Sequence, residues 1–359
     1  MVRVSAVEPD RISEWDELVR HSRDASIYHL WRWGEVLSAT YGHQRYYLGA
    51  EQNGNLVGAF PLIHVKSVLF GNRLISIPFC EYGGPLVNPK LSGESKKQVL
   101  GELLNRGNLL ARSLGARHLE IRGSTTRVAA LLVHRGYNCL ARYATFKIDL
   151  THSAEELWGI LDKKTRNATK KAMKKGVKVM EAKSEEELEG YYKLHLETAK
   201  RHGSPPHAFG FFQNTLNKFQ RQGMVKMLLA QSEGKLISGI TVLLWNDTIY
   251  WKNNVTDTKY RSLNATNLLL WHTIKSGANE GFKVFDLGRT RPNTGVHHFK
   301  KGWGGQEVRL DDYMHFLKRA TVPPDPNQRK YVLLSKLWSL VPTATSRYLG
   351  PRIISGIAP

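Results

Sequence analysis

Hydrophobic residues recur at helical spacing in two long stretches. Val99, Leu103, Leu104 and Leu110 predict a helix over roughly 96–114, and Leu268, Leu269, Trp271 and Ile274 predict another over roughly 264–280. Each is followed by a glycine, Gly115 or Gly281, a natural place for a helix to stop. Upstream of each lies a strand–turn–strand pattern, LGAEQNGNLVGA (48–59) and LLAQSEGKLISG (228–239). Aligning Gly54 with Gly234 also pairs Ala50 with Ala230 and Leu56 with Leu236. Downstream, GARHLEIRG (115–123) is similar to GFKVFDLGR (281–289), which sets Glu120 against Asp286. Two blocks recurring in one order, 166 to 180 residues apart, are too widely spaced for a solenoid and predict a domain duplication. Strands and helices mixed in this order give an α/β (α+β) fold with a mixed sheet.

An alternating strand, RYATFKIDL (142–150), is expected to close the first half. The predicted organisation is therefore a domain over 1–150, a second over 151–318, and a tail over 319–359. PPDPN in the tail reads as a linker. The LLSKLWSL that follows has helical spacing but is too short to span a bilayer, which leaves packing onto the second domain and an interfacial anchor as alternatives. The length of 359 residues suits two domains. At 41% hydrophobic and 23% charged, the composition excludes a wholly disordered chain or a collagen-like fibre. Two cysteines, Cys80 and Cys139, are too few for a disulfide framework or a four-cysteine zinc site. The first residues lack the apolar core of a signal peptide, and no run approaches the ~20 apolar residues of a membrane span. The expected location is cytoplasmic, with peripheral contact at the cytoplasmic membrane face kept open.

Charge changes this picture. Lys+Arg 52 against Asp+Glu 31 gives +21, an excess that favours a polyanionic partner. Much of it lies in KKTRNATKKAMKKGVKVMEAK (163–183). On a helix, Arg166, Lys170 and Lys174 form an i,i+4 stripe, with Lys163, Lys164, Lys171 and Lys175 beside it. Leu157, Leu161, Ala168 and Ala172 fall on or near an opposing face. Like charges at this spacing cost roughly 0.2–0.5 kcal/mol each, which a bound polyanion would relieve; a merely solvated face is the alternative. Contact of this kind would be salt-dependent and indifferent to base sequence.

The most specific stretch is FDLGRTRPNTGVHHFKKGWGGQEVRL (285–310). Together with WRWGEVLSATYG and EYGGPLV in the first half and RNATKKAMKKGVKV at the junction, it resembles the Fem-type peptidoglycan aminoacyltransferases. These and their wider relatives have a duplicated acetyltransferase-like (GNAT) fold. The closing WSLVPTATSRYLGP is similar to the tail of relatives linked to exopolysaccharide systems. The resemblance implies two tandem GNAT-like domains and transfer of an aminoacyl group from aminoacyl-tRNA to an amine of a peptidoglycan-precursor stem peptide. The precursor would be lipid-linked or nucleotide-linked, and neither metal nor organic cofactor is implied.

By this resemblance Lys300 matches the lysine of the family's FK motif and is the cation at the reacting centre, with Phe299 shaping the same site. Tyr82 and Arg201 fall where the family contacts the precursor, and Trp251 lines the same cleft. At a predicted strand end Asp286 is a candidate general base and Arg289 a candidate substrate-binding residue, with a structural ion pair between the two as the alternative. His297-His298 lacks a third ligand at motif spacing, so no metal site is expected. Coenzyme A enzymes of this fold carry a glycine-rich loop before the long helix, and here Asn264 and Ala265 stand in its place. An acyl-CoA-dependent N-acyltransferase acting on a polysaccharide or small-molecule amine is the first alternative. A non-catalytic RNA- or membrane-surface-binding protein is the second.

Overall fold

In the computed structural model, residues 2–123, 126–317 and 329–359 are described. They divide into two compact units. The first holds the residues up to Arg142, those from Leu310, and Arg352–Pro359; the second holds Tyr143–Arg309 and the tail up to Pro351. The proposed linker PPDPN and the boundary at 318 lie outside the described residues.

The first unit contains β1 (Arg3–Ala6), α1 (Ile12–His21), α2 (Trp31–Tyr41), β2 (Gln44–Gln52), β3 (Asn55–Ser67), β4 (Gly71–Ile75) and β5 (Leu86–Val87). It continues with α3 (Gly93–Ser113), β6 (His118–Ile121), α4 (Thr126–His134) and the first residues of β7 (Asn138–Asp149). The second contains the rest of β7, α5 (Ala154–Ile160), α6 (Lys163–Lys174), β8 (Lys178–Glu181), α7 (Glu185–Arg201), α8 (Phe209–Phe219) and β9 (Val225–Ser232). Then come β10 (Lys235–Trp245), β11 (Thr248–Thr256), α9 (Ala265–Asn279), β12 (Val284–Asp286), α10 (Gly295–Lys301) and β13 (Gln306–Phe316). The tail forms α11 (Arg329–Leu340) and α12 (Thr343–Ile357).

The duplication is visible down to individual turns. Asn53-Gly54 and Glu233-Gly234 both have positive φ at both positions, so β2–β3 and β9–β10 are joined by two-residue turns whose twist matches that of the strands. Each hairpin carries a bulge four residues on: Val57 is the extra residue of β3 and Ile237 that of β10. In each unit a long helix then crosses between parallel strands, α3 between β4 and β6, α9 between β11 and β12. Gly115 and Gly281 end these helices in the left-handed region, as their sequence positions imply.

The closing strands are exchanged between the two halves of the sequence. In the first unit the order runs β1-β2-β3-β4-β6-β13, and Tyr313–Phe316 of β13 lie antiparallel to β6. In the second it runs β7-β12-β11-β10-β9-β8, and Lys147–Asp149 of β7 lie antiparallel to β12. The strand at 142–150, expected to close the first half, thus gives its alternating Phe146 and Ile148 to the second unit's core. Leu62, Leu103, Leu104, Leu119 and Tyr313 share the core of the first.

The basic run differs from its expected form in one respect. Asp162 caps α6 by accepting the Thr165 N–H at 2.6 Å, and the chain is extended at Leu161, so a helix boundary separates Leu157 and Leu161 from the basic run. Leu157 therefore belongs to α5, Leu161 lies between helices, and Ala168 is only half-buried. The buried face of α6 is Thr165, Thr169 and Ala172, turned toward α9, and the run ends as strand β8.

Several histidines are locked neutral in these cores. In the first unit Ser26 N–H donates to His29 Nδ1 at 3.1 Å and His29 Nε2 faces the Gly84 carbonyl at 3.0 Å, which leaves no site for a second proton. Burial lowers His29 to about 4 and His43 to about 4; in the second unit it lowers His195 to about 3. A group depressed in the folded state contributes stability that is complete above its unfolded value, near 6.5, and is lost as pH falls toward the folded value. Each such histidine therefore loses its share of stability as pH falls from about 6.5 toward its folded value. Thermal melts at pH 7.5 and 5.0 are expected to show a lower Tm at pH 5.0, and His29→Gln is expected to narrow the difference.

Candidate active site

In the second unit, β11 and β12 pair in parallel over only three residues, Thr248–Tyr250 with Val284–Asp286. β11 then continues to Thr256 along β10 alone, while the chain after β12 turns off at Gly288, whose φ of 73° requires the freedom of glycine. Thr290 is next tied to Ala144 by a pair of backbone hydrogen bonds. The edge of β11 from Trp251 onward is thereby opened, and four sequence-selected residues converge there.

Lys300 is 6% exposed on α10. Its Nζ donates to the carbonyls of Gly288 at 2.9 Å and Arg289 at 3.1 Å and lies 5.2 Å from the centre of the Trp251 ring. Phe299 approaches both Trp251 and Trp303, each with ring centres 6.3 Å apart. Asp286 is buried at the end of β12, where Oδ1 accepts from the Thr145 hydroxyl at 2.5 Å and from Gly288 N–H at 2.8 Å. The Arg289 guanidinium stacks over Tyr143 at 4.4 Å.

The FKKGWGG motif explains how Lys300 is held. Trp303 is fully buried in the core. A Cβ at Gly302 would meet Thr165 and Asp162, one at Gly304 the Ile160 carbonyl, and one at Gly305 the Lys147 carbonyl. These glycines let α10 and the strand after it seat against α5, α6 and β7 at backbone distance. Asp162 N–H also donates to the Gly302 carbonyl at 2.9 Å, which joins the start of the basic helix to the residue two past Lys300.

On α6 Lys163, Lys164, Lys170, Lys171 and Lys174 are exposed, as is Lys175 at its C-terminal cap. Arg166 turns back to donate to the carbonyls of Gly159 and Leu161, and Lys170 lies 5.9 Å from the Trp158 ring. Arg201, at the end of α7, donates to the Thr256 carbonyl at 3.2 Å. Burial and the neighbouring Arg261 lower its basicity. Thr256 lies five residues beyond Trp251, about 17 Å of strand, so Arg201 marks the far end of the open edge and not the lysine itself. Tyr82 is half-buried in the first unit, in the loop after β4, where its carbonyl accepts from the Cys80 thiol.

Sequence reasoning missed Asp162, Thr145 and Arg261. Asp162 stands one residue before the basic run with Thr165 three residues on, a capping signal that could have marked it. Thr145 and Arg261 carry no local signal, because only strand exchange and a 3-10 turn (Thr258–Leu263) bring them into place.

Residues 162–301 match the family model of the acetyltransferase (GNAT) domain. This stretch runs from the cap of α6 to the end of α10 and contains Lys300, Trp251, Asp286 and Arg289. No curated protein matches the chain. Among solved structures the chain is similar to FemX, with a TM-score of 0.71 at 15% identity, covering 93% of this chain and 100% of that one. It is also similar to the C-terminal domain of a putative lysylphosphatidylglycerol synthetase from Agrobacterium fabrum, with a TM-score of 0.59 at 11% identity over 85% and 91% of the two chains. A tandem GNAT protein from the clavulanic acid biosynthesis pathway gives 0.58 at 13% identity over 89% and 100%. The chain therefore has the mixed α/β fold of the Fem and tandem GNAT proteins, and it is an acyltransferase.

The geometry at Asp286 separates shape from charge. Asp286→Asn keeps an oxygen for both donors and is expected to melt close to the wild type. Asp286→Ala leaves a buried hydroxyl and a buried N–H without that acceptor and is expected to lose about 1–3 kcal/mol in urea denaturation.

Proposed function

We propose that the chain transfers an aminoacyl group from aminoacyl-tRNA to an amine of a peptidoglycan-precursor stem peptide. The observation that carries this reading is the join between α6 and α10. A helix with five exposed lysines, and a sixth at its C-terminal cap, is tied through Asp162 and Gly302 to the segment that holds Lys300. A polynucleotide lying along α6 would deliver its acylated end beside a fixed cation. The sequence resemblance to Fem-type enzymes and the FemX-like fold support the same donor. The likeness to a putative lysylphosphatidylglycerol synthetase, whose name puts an aminoacylated lipid on this fold, fits transfer of an aminoacyl group.

An aminoacyl ester is already activated, so the protein must orient the amine, exclude water and stabilise developing charge. The amine nitrogen attacks the ester carbonyl, and negative charge gathers on its oxygen. The C–O bond to the ribose then breaks, the amide forms, and the proton lost by nitrogen ends on the ribose hydroxyl. Lys300, immobilised by two carbonyls over the face of Trp251, supplies a positive charge that needs no reorganisation as the oxyanion forms. Phe299 and Trp251 wall the site, and Arg201 with Arg261 forms a cationic end suited to the phosphates of the precursor. Tyr82 is assigned to the precursor as well.

The match to an acetyltransferase domain favours a second reading, an acyl-CoA donor on the same site. A mass-resolved transfer assay with a muramyl-pentapeptide precursor separates the two. A gain of one amino-acid residue with an aminoacyl-tRNA pool, abolished by ribonuclease, is expected. A gain with acyl-CoA alone would move the assignment to the second reading. Lys300→Ala is expected to lower turnover ten-fold or more, about 1.4 kcal/mol of transition-state stabilisation, and unchanged turnover in a folded variant would remove Lys300 from the reaction.

A further inference from the structure

The tail helix α11 packs through its Ser335–Trp338 side and leaves most of its leucines outside. Its polar Ser335 faces inward, where its hydroxyl donates to the His202 carbonyl just past α7. Its leucines face out: Leu333 is 57% exposed, Leu334 54%, Leu337 53% and Leu340 76%. Leu333, Leu337 and Leu340 stand at i, i+4 and i+7, one stripe about 10 Å long on the side away from Ser335. Beyond it Tyr348 is 74% exposed.

This orientation is built in. Gly203, at a φ of 60°, lies so close to Ser335 that a Cβ there would enter its backbone carbonyl. Gly350 packs on the Pro206 ring in the same way, and Arg347 pairs with Glu189 of α7 at 3.0 Å while its guanidinium lies over Tyr192. Ser335 and Trp338 of α11 and the start of α12 are thus fastened within the second unit, and the leucine stripe is what remains outside.

Charge identifies what covers the stripe. Between residues 329 and 359 the sequence has Arg329, Lys330, Lys336, Arg347 and Arg352 and no aspartate or glutamate. Lys336 and Arg352 are exposed. Pairing this face with its own copy about a two-fold axis would bring two such all-cationic segments together. An anionic bilayer surface satisfies both features: leucines enter the headgroup–acyl boundary, cations meet lipid phosphates, and Tyr348 sits at the polar level. No helix among the described residues is long and apolar enough to cross a membrane, so α11 would lie in the interface plane. The basic helix α6 lacks such a stripe, and its contacts with polyanions are those of charge alone.

We propose that α11, with the start of α12, docks the full-length protein on anionic lipid bilayers. The proposal is read by binding alone and stands whichever acyl donor is used. The experiment is co-sedimentation with phosphatidylcholine vesicles, with and without phosphatidylglycerol, using the wild type and the triple variant Leu333→Ser/Leu337→Ser/Leu340→Ser. All three positions are exposed, and an unchanged Tm certifies the variant's fold. The wild type is expected to partition onto phosphatidylglycerol vesicles at least ten-fold more strongly than onto phosphatidylcholine alone, and the triple variant to lose at least ten-fold of that partitioning. Equal sedimentation of both proteins would overturn the proposal and assign binding to charges elsewhere, α6 first. A lipid-free dimer in light scattering that the triple variant abolishes would overturn it in favour of a contact between copies. Absence of sedimentation would overturn it outright.

Discussion

A buried ammonium must be surrounded by acceptors or it will not stay charged, and the second unit is organised around meeting that demand for Lys300. Two consecutive carbonyls, those of Gly288 and Arg289, point at one nitrogen, which the chain achieves only by bending through the left-handed region at Gly288. The same peptide segment is gripped from its other side by Asp286, whose carboxylate accepts the Gly288 N–H. Strand end, turn and lysine therefore fix one another. Removing the charge would take away one of the turn's supports, and relaxing the turn would strand the charge.

That mutual dependence explains the otherwise odd composition of the segment. Trp303 anchors it in the core, and three glycines flank the tryptophan because backbone or close side-chain contacts with α5, α6 and β7 leave no room for a Cβ. Thr145, which completes the grip on Asp286, comes from a strand that begins in the other unit's share of the sequence. The site is thus assembled from a turn, a short helix and a borrowed strand, none of which is stable in that shape by itself.

The repeating architecture was legible because it rests on local signals: helical periodicity in α3 and α9, glycines that end them, and turn chemistry at Gly54 and Gly234. Even the paired bulges at Val57 and Ile237 follow from that alignment. The exchange of β7 and β13 was not legible, because alternation tells which residues of a strand face a core but never which strand it will pair with. The same limit governs the site. Lys300, Phe299, Trp251 and Asp286 were found through a motif and do converge. Arg201 and Tyr82 were selected with them, yet one lies at the far end of β11 and the other in the first unit. The helix boundary at Asp162 is marked in the sequence only by its capping relation to Thr165, at the edge of a run of lysines.

Charge on α6 poses a thermodynamic question that the packing answers. A stripe of lysines at i,i+4 spacing disfavours its own helix by some tenths of a kcal/mol per pair, and a cap offsets about 1 kcal/mol of that. The cap here is Asp162, and the remaining support is tertiary, from Thr165, Thr169 and Ala172 against α9. A helix kept by its neighbours against its own electrostatics is one whose charge is wanted where it stands, next to the segment that carries Lys300. The tail presents the opposite combination, cations interspersed with exposed leucines and an aromatic ring. The two cationic regions thus differ in kind: α6 presents charge without an apolar stripe, and α11 presents leucines among its cations.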